Sequence, residues 1–164
     1  MTRTLRFAVP AVGLALMFTA GSFNDRAPNE GSARRAEFPV SQAGGPPPVE
    51  GDTITTDSGL KYIVIIRGDG RRAERHRTVR VQYSGWLEDG TLFDSSVLAG
   101  EPTEFELGAG QVIRGWDEGV NLMRAGDMWR LIIPPELGYG DRGYPDVIPS
   151  NATLIFDIAL LAVK

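Results

Sequence analysis

The sequence predicts an α+β fold, an antiparallel β-sheet curled around one short α-helix. Two observations predict it. From residue 60 onward, segments with strand patterning recur between turn signals. A single segment, Ile113–Met123, carries apolar residues at helical spacing. The length of 164 residues, with 42% hydrophobic and 23% charged side chains, suits one domain with short extras.

The elements follow in order. Arg3 and Arg6 precede an apolar run, Phe7–Ala20, and Ala20-Gly21-Ser22 supplies small residues for a peptidase. Residues 1–22 therefore read as an export signal or, uncleaved, an N-terminal anchor; the run is short for a membrane span. Residues 23–52 hold five prolines, including Pro46-Pro47-Pro48, and no apolar periodicity. They read as a disordered linker, stiffened by the proline run. The folded domain is expected over 53–164.

Within that domain Leu60–Ile66 reads as a strand, and Gly68-Asp69-Gly70 as a turn. Thr78–Leu87 alternates, with Val79, Val81 and Tyr83 on one face and Arg80, Gln82 and Ser84 on the other. Asp89-Gly90 signals a hairpin turn. Leu92–Ser95, Thr103–Leu107, Asp127–Ile133 and Thr153–Val163 complete the strands. In the helix, Ile113, Trp116, Val120 and Met123 form the apolar stripe, and Gly126 is the expected left-handed cap. Such a helix is too short to stand alone in water and must be held by packing.

Composition excludes several classes of chemistry. Cysteine is absent, so disulfides, thiol catalysis and Cys-based zinc sites are ruled out. One histidine, His76, cannot make a multi-histidine metal site. No metal or cofactor is expected. The net charge is −4, and −6 without Met1–Ser22, which argues against a nucleic-acid partner. The arginines around His76, from Arg67 to Arg80, read first as a solvated turn.

What remains is an apolar pocket. Val79–Met123 brings Tyr83, the pair Phe93-Asp94 and Trp116 into one neighbourhood, with no nucleophile or phosphate loop. Each aromatic is an ordinary core residue when taken singly. Asp94 before Ser95-Ser96 reads as turn chemistry; if buried, it needs a donor, and Tyr83 is the natural one. Trp86 and Trp129 read as structural.

An ordered series of short motifs goes further. It runs from Tyr83, Gly85 and Leu87–Gly90 through Phe93-Asp94-Ser95-Ser96, Val112–Trp116 and Glu118-Gly119. It continues with Tyr139-Gly140, Ile148-Pro149 and Ala152-Thr153-Leu154. This series resembles the FKBP-type peptidyl-prolyl cis/trans isomerases over about Asp57–Lys164. The resemblance implies a half-barrel, a bent sheet wrapped on the helix with the pocket between them. It implies Trp116 as floor, and Tyr83, Phe93, Val112, Ile113 and Phe156 as walls. Tyr139 is implied at the rim, and Tyr144, Val147 and Ile148 in a flap. It further implies that the Ile113 N–H faces the substrate carbonyl and that Asp94 lies beside Tyr83. Asp94, Tyr139, Tyr83 and Ile113 are the implied catalytic set.

The chain departs from the family pattern at Ala99, where an arginine often pairs with the acid, at Thr103, an aromatic wall position, and at Tyr144, a flap histidine. The implied partners are flexible polypeptides containing X-Pro bonds, and macrolides of the rapamycin class. A monomer is expected, meeting a membrane only if the leader stays uncleaved. The competing reading is a non-catalytic module that holds Pro-containing segments in the same pocket.

Overall fold

The computed structural model describes residues 45–164. The expected leader and residues 23–44 of the expected linker lie outside the described residues. Seven strands form one antiparallel sheet: β1 (Ile54–Thr55), β2 (Lys61–Ile66), β3 (Thr78–Leu87), β4 (Leu92–Ser95), β5 (Thr103–Glu106), β6 (Met128–Ile133) and β7 (Leu154–Val163). Their spatial order is β1-β2-β6-β7-β3-β4, with β5 also on β3. The ten-residue β3 gives its first half, Thr78–Val81, to β5 and its second half, Ser84–Trp86, to β4. Its other edge pairs with β7 along its whole length.

The period-2 pattern of β3 does what alternation demands: Val79, Val81 and Tyr83 are buried in the core cluster. Ser84, on the opposite side, is nevertheless fully buried, its Oγ 2.8 Å from that of Ser95 on β4. At the end of β3 the Asp89-Gly90 signal becomes a tight turn. Gly90 N–H donates to the Leu87 carbonyl at 3.0 Å, and Leu87 N–H to that of Thr91 at 2.9 Å.

The expected helix is α2 (Arg114–Asn121). Trp116 and Val120 are fully buried beneath the sheet. Gly115 and Gly119 also face it: a Cβ on either would come within 2.6 Å of Ile133 or Leu131 on β6. The helix axis is therefore closer to the strands than any larger residue would permit. Two expectations change here. The helix is not alone, because a single turn, α1 (Ser96–Ala99), follows β4, capped by the Ser95 hydroxyl. It also ends earlier than expected. Its cap is Leu122 in right-handed geometry, while Gly126, at φ +94°, closes the later Arg124–Asp127 turn against Gly68.

The last eight residues of the expected linker do not behave as a free spacer. A Cβ on Gly45 would lie 3.2 Å from Gly90, and one on Gly51 would lie 3.0 Å from the Ile63 side chain. Residues 45–51 thus run from the β3–β4 turn to β2, past β7 and β6. A polyproline segment of this length reaches ~19 Å, and three strand spacings need ~14 Å. Ile63 points away from the helix, so the strap lies on the sheet's outer face. Trp86 lies on that face too: it is completely buried yet absent from the core cluster between sheet and helix.

Candidate functional site

The bend of the sheet over α2 leaves a hollow at one end, about 410 Å³ counting its open mouth. β3 supplies Tyr83, β4 Phe93 and Asp94, β7 Phe156, and α2 Trp116 with Ile113 just before it. Tyr139, Tyr144, Val147 and Ile148 come from the long connection between β6 and β7.

Trp116 is the floor, with rings standing on edge around it. Tyr83 meets it at 4.7 Å and 82°, and Phe156 at 5.2 Å and 84°. Phe93 stands against Phe156 at 5.4 Å and 88°. Edge-to-face pairs at these distances are favourable beyond their buried area, so the cage is held open rather than collapsed. Gly85, opposite Phe156 in the β3–β7 register, makes room: a Cβ there would sit 2.5 Å from the Phe156 ring and 2.9 Å from Phe93.

The flap is a two-residue turn. Pro145 and left-handed Asp146, at φ +61°, link Tyr144 to Val147, whose N–H donates to the Tyr144 carbonyl at 3.1 Å. Proline presets the first corner of such a turn, and an aspartate tolerates the second. Tyr144 and Ile148 bond reciprocally across it at 2.8 and 2.9 Å. Tyr139 leans on Tyr144, ring centroids 5.9 Å apart.

Three polar features face this apolar space. The Tyr83 hydroxyl donates to Asp94 Oδ2 at 2.5 Å. Among the described residues Asp94 meets no cation: Ala99 is exposed on α1, and none of the ion pairs includes Asp94. Instead Tyr83 also engages the Thr103 hydroxyl from β5. The Ile113 N–H precedes the first turn of α2 and has no acceptor among the described residues. The Tyr139 hydroxyl likewise donates to none of them. Burial raises the Tyr83 phenol far above its ordinary range, helped by its hydrogen bond to Asp94 and by that carboxylate's charge. Tyr139 is pushed up to about 12, first by burial and then by the charge of Asp94. Both hydroxyls keep their protons at any neutral pH, so the site presents donors and no phenolate.

The structure gathers Asp94, Tyr139, Tyr83, Ile113, Phe93, Trp116, Tyr144, Val147, Ile148 and Phe156 around one hollow. Val112 is not among them. Ile113 is extended, at φ −60° and ψ 151°, so successive side chains point opposite ways; Ile113 reaches the hollow and Val112 is buried in the core. Two contributors have roles that sequence reasoning does not give. Phe105 backs Trp116 at 5.9 Å, and only the alternation of Thr103–Leu107 hints at its inward side. Gly85 matters through a neighbour 71 positions away, Phe156. Trp129 is structural, stacked on Tyr62 at 4.5 Å. His76 is exposed, 3.5 Å from Glu106.

Known proteins resemble this chain in sequence and fold. Residues 69–161 match the family model described as FKBP-type peptidyl-prolyl cis-trans isomerase. A probable FKBP-type isomerase of Haemophilus influenzae is 43% identical over 145 residues, which cover 88% of this chain and 56% of that protein. FK506-binding protein 1 of Dictyostelium discoideum is 47% identical, over 65% of this chain and 99% of its own. Among solved structures, FkpA from Escherichia coli superposes with a TM-score of 0.64 at 46% identity, covering 68% of this chain and 51% of that one. AtFKBP13 gives 0.66 at 36% identity, covering 69% and 99%. The chain thus spans little more than half of the Haemophilus and Escherichia proteins, and nearly all of the two smaller ones.

Proposed function

Because this chain belongs to the FKBP-type peptidyl-prolyl cis-trans isomerase family, we propose that it catalyses rotation about X-Pro bonds in exported proteins as they fold. The carrying observation is the aromatic hollow with two donors, Ile113 N–H and Tyr139 O–H, that meet no acceptor among the described residues, over the floor of Trp116. Rotation of a peptide bond faces a barrier of ~18–20 kcal/mol, because C–N conjugation must be broken. The twisted amide has lost much of the charge separation of the planar one. A dry, apolar cage therefore favours it over the ground state, which prefers water. This is differential binding, and it requires no bond to the protein. A rate gain of 10⁵ corresponds to about 7 kcal/mol.

In this reading the proline ring lies over Trp116, the carbonyl that follows proline accepts from Ile113, and Tyr139 closes the rim. Asp94 fixes the Tyr83 ring against the floor and places negative charge beside the twisting carbonyl carbon.

Exchange spectroscopy on a Leu-Pro or Phe-Pro peptide with the full chain is expected to show accelerated cis/trans interconversion. Asp94→Ala and Tyr139→Phe should each lower it, about two- to tenfold for one lost hydrogen bond of ~0.5–1.5 kcal/mol. Tight peptide binding with exchange at the uncatalysed rate would favour the holding module instead. A rapamycin-class macrolide is expected to compete for the pocket, and the protein to act as a monomer.

Export rests on the order of Arg3, Arg6, the apolar run and the small residues at 20–22. The mass of the cellular protein is the test. Loss of about 22 residues is expected for secretion, as a cleaved signal peptide requires. Full-length protein in a soluble cytoplasmic fraction would end the export reading.

A further inference from the structure

We propose that the end of the sheet opposite the pocket is a docking surface for an anionic lipid bilayer, which the domain meets through an arginine platform of its own.

Backbone bonds build the platform. The loop after β2 lies along the segment that follows α2. Gly70 N–H donates to the Ala125 carbonyl at 3.0 Å, Ala125 N–H to that of Arg71 at 2.9 Å, and Ala73 N–H to that of Met123 at 3.0 Å. The buried Asp127 carboxylate ties the two segments together, accepting from Gly68 N–H and Arg124 N–H at 2.6 Å each. Arg72 is thereby paired directly opposite Arg124 in antiparallel fashion. The hydrogen bonds belong to their neighbours, so this is the closer kind of cross-strand pair, with Cα atoms ~4.5 Å apart. Like charges so placed repel each other, and an anion that accepts from both guanidinium groups relieves the repulsion.

The protein does not supply that anion. Arg67, Arg71, Arg72, Arg75, Arg77 and Arg124 are exposed, and none is in an ion pair among the described residues. On β5, Glu104 is engaged by Lys164 and Arg80, and Glu106 by His76. Within residues 67–77 the acids are Asp69 and Glu74 alone. This end is therefore cationic, although the chain as a whole carries −4. Two apolar side chains share it. Ile66 is 39% exposed beside Arg67, and Leu161 is 46% exposed beside Leu160, whose carbonyl accepts from Gly126 N–H. An acidic polypeptide or a nucleic acid would satisfy the arginines and leave these two in water. The headgroup boundary of a bilayer takes both the charge and the apolar tips.

Strand register places the pocket at the far end. Val79 on β3 faces Val163 on β7, and Leu87 faces Leu154, ~27 Å farther along. Phe93, Asp94 and the flap belong to the Leu87–Leu154 end. A bilayer on the platform leaves the pocket open to solvent, where a flexible polypeptide can reach it. Charges at that end are screened from the membrane, because the Debye length in physiological salt is ~8 Å.

The test uses the full chain with vesicles of phosphatidylcholine alone and of equal parts phosphatidylcholine and phosphatidylglycerol. Every variant keeps residues 1–22, so their contribution is common to all. Arg72→Gln with Arg124→Gln is expected to weaken binding to the mixed vesicles about thirtyfold, the share of two cations at an anionic surface. Arg72→Lys with Arg124→Lys should keep most of the binding, and added salt should weaken it. The chain has no cysteine, so a single environment-sensitive dye can be placed at Arg77→Cys or at Asp141→Cys, on the β6–β7 connection. On mixed vesicles the dye at 77 is expected to enter an apolar setting and the dye at 141 to stay in water. Undiminished binding by the Gln pair, loss of binding by the Lys pair, or a dye at 77 that does not respond would each overturn the proposal. Binding of soluble polyglutamate but not of mixed vesicles would assign the platform to a protein partner and overturn it too.

Discussion

Arg130→Ala is expected to destabilise the domain by about 3–5 kcal/mol, although the side chain lies nowhere near the pocket. Arg130 on β6 faces Asp157 on β7 in direct register. Its Nε donates to Oδ1 at 2.6 Å and its terminal nitrogen to Oδ2 at 2.7 Å. The two side chains are only 8% and 1% exposed. Such a fork is strong because both oxygens are satisfied in fixed geometry. Its loss is costly for a different reason: the Asp157 carboxylate would remain buried without its cation. The control is the double change Arg130→Met with Asp157→Leu, which removes both charges and should lie close to the original stability, or above it. Urea midpoints measure both. A double variant as unstable as the single one would show that packing, and not the stranded charge, sets the loss.

A chain beginning at Thr53 is expected to be less stable than one beginning at Gly45, by about 2–3 kcal/mol. The strap of residues 45–51 crosses the face on which Trp86 is completely buried. Uncovering half of a Trp side chain of ~150–250 Å², at ~25 cal/mol per Å², gives that figure. Proline at 46, 47 and 48 lowers the entropy of ordering the strap, since their φ angles are fixed beforehand. Thermal unfolding of the two chains measures the difference, and Trp emission of the shorter one should shift to the red while it is still folded. Equal stability and unshifted emission would show that other residues cover Trp86.

These two expectations mark where sequence reading stops. The strands were legible because their signal is local: β3 and β4 occupy the segments that alternation and the Asp89-Gly90 turn delimit. The helix was legible from its stripe, and its end less so, because a glycine five positions beyond a helix looks like a cap at any distance. Arg130 and Asp157 are 27 positions apart and carry no pattern that would join them. The strap has the composition of a spacer, and prolines that cross a sheet look the same as prolines in water. At the site, Tyr83, Phe93, Trp116 and Phe156 stood out through the family motifs, while a motif does not say which of two adjacent extended residues, Val112 or Ile113, turns toward the hollow.

The central place of β7 sets the order in which this domain can be made. Its ten residues, Leu154–Val163, are hydrogen-bonded to β6 on one edge and β3 on the other. They join the β1-β2-β6 ribbon to the β3-β4-β5 ribbon, so no nascent chain that stops short of Leu154 can close the sheet over α2. At synthesis rates of about 5–20 residues per second, β3 waits roughly 3–15 s for this partner. During that wait the inward faces of β3 and β6 have no permanent cover, and nearly all pairings still to be made are long-range, the slow kind. Until those residues emerge the polypeptide stays an open chain, and closure over α2 is triggered by the arrival of one strand.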